Sequence, residues 1–321
     1  MKVIDAHTHL LAPEWVPLAI RRAWARQAAA RRHPARDPEE ILPRVVVGQS
    51  DPTGELTSGA LERAGVSAAV CPVIDWSRAA GQQPDPGDVS IRDVNRLTAE
   101  ACEASAGRLF HCAGVDPRHP EARTLVEEAL AAPTARGLKL YPATGWHLDD
   151  PAHAWQYDLL LERGGVAIVH SSPRGGEPLI TTRSRPSEIA PVLAHHPDLV
   201  VVLAHAGFDA WWMEAAEIAT GRAHAYLELS LWQELADRDY PEFRRRVRLI
   251  VGLVGAHRTI FGSDTLRGPA TDPDGRELQR WIDQWTALAE PFAGDAAVLS
   301  GEQLALAMAG NAAQVYRIQD Q

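Results

Sequence analysis

The chain has 321 residues, of which 45% are hydrophobic and 23% charged, and its formal net charge is −10 at pH 7. These values are typical of a globular protein with a large core. The net negative charge and the lack of a basic patch in the sequence argue against a nucleic-acid partner. No apolar run approaches the roughly 18 residues that span a bilayer, so we expect no membrane association. The first predicted strand starts at residue 2 and leaves no room for a signal peptide, which predicts a cytoplasmic protein.

Short apolar segments alternate with helical patterns along the chain. The apolar segments predict eight strands, at residues 2–7, 67–73, 109–114, 136–141, 166–170, 199–204, 224–229 and 258–262. Apolar residues at helical spacing predict helices at 92–106, 121–130, 155–162 and 187–193. Ser187 is the expected N-cap of the last of these, and Ser300 with Gln303 forms a capping box that opens a final helix. Eight alternations predict an α/β fold, a (β/α)8 or TIM barrel, as one domain over residues 1–321.

One long segment, residues 12–60, interrupts this alternation between the first two strands. Its first part, 15–32, is rich in Ala and Arg and predicts a helix, whereas the rest holds several prolines and predicts irregular structure. The segment leaves the C-terminal end of the first strand, where barrels carry their active sites. We therefore expect an inserted lid, a pocket wall or the interface of a homodimer, with a surface excursion of no function as the alternative.

Histidines and one aspartate mark the C-terminal ends of the predicted strands. His7 and His9 end the first strand, at a spacing that places both imidazoles on one face. His170 ends the fifth strand, His205 follows the sixth and Asp264 follows the eighth. A single histidine is more often a core residue, but this set is typical of a site for a divalent metal. The imidazoles of His7, His9 and His170 with the carboxylate of Asp264 favour zinc, with manganese or iron as alternatives.

Lys139 lies inside the apolar fourth strand, and Lys2 is the only other lysine among the 32 basic residues. Burial lowers the pKa of a lysine and makes its neutral amine available for chemistry, which an arginine cannot provide. This favours a function that depends on the amine. A structural lysine paired with a nearby carboxylate is the alternative.

These segments together resemble the amidohydrolase superfamily, in particular its amidohydrolase-related branch. The segments that match, in family order, are residues 5–9, 137–142, 169–171, 203–207, 261–264 and 310–312. The resemblance implies a (β/α)8 barrel with one or two divalent ions at its C-terminal face. It implies His7, His9, His170 and Asp264 as metal ligands, and His205 as a further ligand or a catalytic partner.

The resemblance leaves two functional roles open for Lys139. In related binuclear barrels a lysine of the fourth strand is carboxylated and bridges two ions, in which case His205 would join it on the second ion. The lysine could instead remain an amine and bind a substrate anion. The branch that this chain resembles is usually mononuclear, which favours a single ion.

The predicted chemistry is hydrolysis of a small amide, lactone or ester. A bound divalent ion lowers the pKa of water from about 15.7 towards about 7. Asp264 could accept the proton of that water, and His205 could polarise the scissile carbonyl. Several of the ten tryptophans follow predicted strands, at positions 146, 211, 212 and 232. They indicate an apolar or aromatic substrate, and the alternative is that they pack loops onto helices.

Two other functions remain as alternatives. The first is metal-dependent decarboxylation of an aromatic or unsaturated carboxylic acid, because the branch includes decarboxylases. Those enzymes often carry Gly-Glu after the histidine of the sixth strand, whereas this chain has Ala-Gly-Phe-Asp at 206–209, which favours hydrolysis. The second is a metal-binding scaffold without activity, which an intact set of ligands disfavours.

Overall fold

A parallel sheet of eight strands forms the centre of the computed structural model, which describes residues 1–81, 85 and 87–319. The strands of this sheet and of a short second sheet are β1 (Ile4–Asp5), β2 (Thr8–His9), β3 (Ala68–Pro72), β4 (Leu109–Gly114), β5 (Ala135–Leu140), β6 (Val166–His170), β7 (Val201–Ala204), β8 (Ala225–Glu228), β9 (Thr259–Ile260) and β10 (Thr265–Leu266). The large sheet has the order β1-β3-β4-β5-β6-β7-β8-β9, so consecutive barrel strands are neighbours.

The first and eighth barrel strands meet through their C-terminal continuations. β2 pairs in parallel with β10, with Thr8 opposite Thr265. The amide of Ala6 donates to the carbonyl of Phe261 at 3.1 Å. These bonds join the two ends of the sheet into a barrel, and the predicted (β/α)8 fold is confirmed.

The described helices lie around the sheet, and most bury apolar side chains against it. They are α1 (Leu18–Ala30), α2 (Pro38–Ile41), α3 (Glu55–Arg63), α4 (Ile91–Ala104), α5 (Ala122–Leu130), α6 (Trp155–Arg163), α7 (Ala190–His195), α8 (Trp212–Thr220), α9 (Gln233–Arg238), α10 (Tyr240–Val254), α11 (Arg276–Thr286), α12 (Gly301–Ala305) and α13 (Asn311–Val315). The predicted capping box at Ser300 is present. The predicted N-cap at Ser187 was wrong, because a 3₁₀ turn at Pro186–Ile189 precedes α7 and the amide of Ser187 donates to Glu214.

Residues 12–60 are more regular than their prolines indicated. α1 lies within the predicted helical part, but the remainder also contains α2, two 3₁₀ turns and α3. Leu61 of α3 is buried in the main core between sheet and helices, so α3 is an ordinary barrel helix. α1 instead joins a separate apolar cluster with Leu11, Val16 and Trp76. A lid or interface function for this segment stays a prediction.

The last helical region is anchored to the eighth barrel strand. A π turn at Leu306–Gly310 links α12 to α13, and its Ala307 carbonyl accepts from the amide of Phe261 at 2.9 Å. The side-chain amide of Asn311 donates to the carbonyls of Ala256 and Thr259, each at 2.7 Å. The segment 310–312 therefore has a structural function, because it holds the last helices against the eighth barrel strand. Within the described residues, no helix has both the length and the apolar character needed to cross a membrane.

Candidate metal centre

All the predicted site residues lie at the C-terminal end of the barrel. The first barrel strand supplies His7 and His9, and the other strands supply Lys139, His170, His205 and Asp264. The residues are buried except for Asp264, whose side chain is 19% exposed. Solvent therefore reaches the cluster from the side of this carboxylate.

Three of these residues converge on one point. The Nε2 atoms of His7 and His9 lie 3.2 Å apart. Oδ1 of Asp264 lies 3.0 Å from Nε2 of His9 and 3.4 Å from Nε2 of His7. Ligand atoms that share one zinc ion at about 2.0–2.2 Å are themselves roughly 3 to 3.5 Å apart. The spacing of the three atoms fits a common divalent ion.

The hydrogen bonds on the far side of each ring determine where its proton lies. Nδ1 of His9 is 2.7 Å from the carbonyl of Pro72, which can only accept, so Nδ1 carries the hydrogen. Nδ1 of His7 lies 2.9 Å from the carboxylate of Glu228, so this Nδ1 also carries the hydrogen. In neutral imidazoles, both Nε2 atoms then present lone pairs to each other and to Asp264. Three electron-rich atoms at this distance repel one another unless a cation lies among them, and this donor set suits a divalent ion.

A second chain of hydrogen bonds leads to His170. The Ser230 hydroxyl donates to Glu228 at 2.9 Å and accepts from Nδ1 of His205 at 2.7 Å. Nε2 of His205 is then the acceptor for Nδ1 of His170 at 3.0 Å. This leaves Nε2 of His170 as a buried lone pair without a hydrogen-bond partner among the described residues. A metal ion would satisfy it.

His170 is nevertheless set apart from the tight cluster. In the described part of the chain, the sets of three side chains whose ligand atoms lie within 4.8 Å of one another are His7, His9, Asp264 and His7, His205, Glu228. His170 belongs to neither. Its function as a fourth ligand stays a prediction, supported by its unpartnered nitrogen.

Lys139 is 2% exposed, and its Nζ lies 3.2 Å from Nε2 of His7. Burial lowers the pKa of this amine to about 8, against smaller opposite effects of Asp264 and Glu228. Among the described residues no carboxylate lies within 4.0 Å of Nζ. The ion pair expected of a purely structural lysine is therefore missing from this part of the chain.

Asp264 occupies a sharp turn after the eighth barrel strand. Its φ is 53°, in the left-handed region, and its amide donates to the carbonyl of His7 at 2.6 Å. This turn directs the carboxylate towards the histidines. Burial alone would raise the pKa of Asp264, but nearby positive charge, including that of the Lys139 amine, holds it below its ordinary value. The side chain is therefore an ionised oxygen donor.

Glu228, which ends β8 and is buried, was not predicted as a site residue from the sequence. It contacts His7 and Ser230 directly and also accepts from the amide of His205 at 3.3 Å. Burial raises its pKa to about 7. The rule that identified the histidines would have found it, because Glu228 is the polar residue at the end of an apolar strand.

Two of the tryptophans that the sequence places after strands lie in the protein interior. Trp146 and Trp232 are buried in the protein core, where Trp232 packs against Phe208 at 5.8 Å between ring centroids. A row of aromatic rings, formed by Trp24 of α1, Trp76 and Tyr141, leads to His170. Successive ring centroids are 5.7 Å and 6.4 Å apart, and Tyr141 lies 4.6 Å from the ring of His170. This row of aromatic rings therefore includes Trp24, a residue of the segment 12–60.

Comparison with solved structures supports the fold. An amidohydrolase from Burkholderia multivorans with bound zinc shares 19% identity, with 99% of this chain and 100% of that chain covered and a TM-score of 0.62. A 5-carboxyvanillate decarboxylase from Sphingomonas paucimobilis shares 14% identity, with 99% of both chains covered and a TM-score of 0.64. A probable 2-pyrone-4,6-dicarboxylic acid hydrolase from Acinetobacter baumannii shares 15% identity, with 99% of this chain and 100% of that chain covered and a TM-score of 0.60.

These relatives include a decarboxylase and a hydrolase, and identities this low establish the fold alone. A comparison with curated protein sequences gave no significant match. The sequence model of one family, described as amidohydrolase, matches residues 4–318. The chain therefore belongs to the amidohydrolase family of TIM-barrel enzymes.

Proposed function

We propose that this protein is a metal-dependent hydrolase of a small amide, lactone or ester, and that it binds one divalent ion, with zinc preferred over manganese or iron. One observation carries the proposal. Two imidazole lone pairs and the Asp264 carboxylate converge within 3.0–3.4 Å, and the carboxylate is the member of this set that solvent reaches most readily. Such a group can bind an ion and accept a proton from water.

Each side chain has a separate task in this proposal. His7, His9 and Asp264 would hold the ion, with His170 as the fourth ligand. The bound ion would supply Lewis acidity, which brings the pKa of water from about 15.7 towards about 7. Asp264 directs Oδ1 at the histidines, while Oδ2 lies 4.0 Å from Nδ1 of His205. Oδ2 is then the oxygen that accepts the proton of the attacking water.

Lys139 is the group that would stabilise negative charge on the substrate. Its Nζ lies 3.2 Å from Nε2 of His7, so a carbonyl oxygen bound beside the histidines is within its reach. A buried ammonium acts strongly on a developing oxyanion because little water screens it. Both ring nitrogens of His205 already take part in hydrogen bonds. We therefore assign His205 to orienting His170 rather than to polarising the carbonyl.

The surroundings of the sixth-strand histidine support hydrolysis over decarboxylation. Asp209 is the acidic residue nearest in sequence after His205. Its carboxylate contacts Arg246 at 2.5 Å and Arg238 at 3.5 Å, and it is therefore committed to α9 and α10. No acid from this loop is then left to assist at the metal.

Decarboxylation of an aromatic acid is the second candidate. It is favoured by the buried amine of Lys139, which could bind a carboxylate, and by Tyr141 and Trp76 beside His170. A substrate ring could pack against these side chains while its carboxylate faces the ion.

The two functions give different products, and one experiment separates them. Metal-free protein is loaded with one equivalent of zinc, manganese or iron(II) and supplied with lactones, esters, amides and aromatic acids. Metal-dependent formation of an acid product that carries ¹⁸O from labelled water is the expected result. Carbon dioxide release from an aromatic acid without any hydrolysis would replace the proposal by the second candidate. Absence of metal-dependent turnover with every class would contradict both.

A further inference from the structure

We infer that Glu228 is a positioning residue that fixes the protons on both histidine arms of the site. It acts on His7 directly, and on His205 and His170 through Ser230. The inference rests on the proposed function in one respect, since it takes His7 and His170 as residues that present lone pairs to an ion. It assigns to Glu228 no contact with substrate.

The carboxylate of Glu228 accepts hydrogen bonds from several donors at once. Oε2 lies 2.9 Å from Nδ1 of His7, 2.9 Å from the Ser230 hydroxyl and 3.3 Å from the His205 amide. Oε1 accepts from the amide of Ser230 at 2.5 Å. The two backbone donors fix the orientation of the carboxylate, because an amide N–H cannot reverse its role. In its ionised form the carboxylate can only accept, so the remaining two partners donate to it as well.

The direction of every further bond follows from this orientation. Since the hydroxyl of Ser230 gives its single hydrogen to Glu228, it can only accept from Nδ1 of His205. Nε2 of His205 then lacks a hydrogen and accepts from Nδ1 of His170. One carboxylate thus leaves Nε2 of His7 and Nε2 of His170 both unprotonated, at the positions where a metal would bind them.

Gly262 provides the space that Glu228 needs. A β-carbon at this position would overlap Oε1 of Glu228 and would lie 3.1 Å from Cβ of His7. Gly262 belongs to the segment 261–264 that carries Asp264. A glycine is needed at this position because the Glu228 carboxylate occupies the space that a side chain would fill. This is a second observation, independent of the hydrogen bonds, that the site is built around Glu228.

Replacing Glu228 by glutamine should disturb the proton pattern while preserving shape. The amide NH₂ cannot accept, so at least one of the present donors would face another donor. His7 can relieve this by moving its hydrogen to Nε2, which would remove its lone pair from the ion site. Loss of a residue that orients a metal-binding histidine typically costs about 10–100-fold in metal affinity.

The test compares zinc dissociation constants, measured by competition with a chelator, for three variants. Glu228→Gln should bind zinc about 10–100-fold more weakly than the wild-type protein. Ser230→Ala interrupts only the arm to His205 and should lose less. Glu302→Gln removes an exposed carboxylate from α12 and should bind zinc like the wild type. Wild-type affinity in Glu228→Gln would overturn the inference.

A measurement on the wild-type protein covers the case in which Glu228→Gln does not fold. The ¹⁵N shifts of the metal-free protein should show hydrogen on Nδ1 and a lone pair on Nε2 for both His7 and His170. Hydrogen on Nε2 of His7 would overturn the inference. Neither measurement uses a substrate, so both test the role of Glu228 even where the proposed reaction is wrong. If the wild type binds no divalent ion, the proposed function fails, and the histidine shifts still decide the role of Glu228.

Discussion

Asp5 accepts two hydrogen bonds from Ser263, at 2.8 Å from the amide and 2.7 Å from the hydroxyl. The same carboxylate accepts from the amide of His7 at 3.2 Å. Asp5 belongs to the first barrel strand, whereas Ser263 follows the eighth and precedes Asp264. One buried carboxylate therefore fixes the spacing between the two segments that carry the proposed metal ligands.

Removal of Asp5 should cost more stability than removal of its hydroxyl partner. Asp5→Ala leaves the buried amides of His7 and Ser263 without an acceptor, and each such group costs about 1–3 kcal/mol. Ser263→Ala keeps both backbone bonds to Asp5 but removes the hydroxyl that contacts Oδ2 and the amide of Thr265, and should lose less, about 1–2 kcal/mol. The check is urea denaturation of both metal-free variants, from which the free energy of unfolding is obtained. Equal stability of the two variants would contradict this role of Asp5.

Asp264→Asn should separate metal binding from catalysis. An amide oxygen can still bind an ion, but it cannot take the proton from water. We expect kcat to fall by at least about 10²-fold, the usual loss for a general base, while metal analysis still finds the ion bound. Asp274→Asn, which changes an exposed carboxylate after β10, is the control. A metal-loaded Asp264→Asn protein with near wild-type kcat would rule out the base function.

The sequence predicted the strands well because buried parallel strands are almost continuously apolar. The predicted strand 109–114 coincides with β4, and 166–170 coincides with β6. Polar residues at the ends of such strands are conspicuous, and this is why His170 and Lys139 were found. A barrel places all such ends on one face. The cluster therefore follows from the pattern of strands alone.

The remaining features depend on tertiary contacts that the sequence does not display. The proton positions on His7 depend on a carboxylate 221 residues away in the chain. The direction of Asp264 depends on a left-handed turn at a residue other than glycine. The tryptophans illustrate the same difficulty, because one residue type serves both packing and lining. Which of them faces the site is decided by how α1 lies over the barrel.

Two tryptophan variants should therefore differ in what they change: one should lower the free energy of unfolding and the other should raise KM. Trp232 is fully buried, and its Nε1 donates to the carbonyl of His205 at 2.9 Å, so Trp232→Ala should lose about 3–5 kcal/mol of stability. Trp24 is half-buried and meets Trp76 edge to face. Trp24→Ala should leave the fold largely intact and raise KM by about 2- to 10-fold for a substrate with an aromatic ring, the value of one aromatic contact. The comparison uses one ring-bearing and one aliphatic substrate; an equal KM change for both would exclude a contact between Trp24 and the ring.

Lys139→Met offers the sharpest test of the proposed chemistry, because methionine fills the space of lysine without its charge. In the wild-type protein, Nζ lies 3.2 Å from a nitrogen that is proposed to bind the ion, and an ammonium there repels a cation. The variant should therefore bind zinc at least as tightly as the wild type, with one ion per chain in both proteins. It should lose about 10²–10³-fold in kcat, as expected when one oxyanion donor is removed.

The other two functions considered for Lys139 give different results in the same experiment. A carboxylated bridge requires two ions per wild-type chain at saturating metal and bicarbonate, and Lys139→Met would lose one of them. In Lys139→Ala a small added carboxylate would restore that ion. A purely structural lysine would leave kcat unchanged once the variant is folded and would lower only its free energy of unfolding. Two ions in the wild type, or an unchanged kcat in the variant, would therefore refute stabilisation of substrate charge by Lys139.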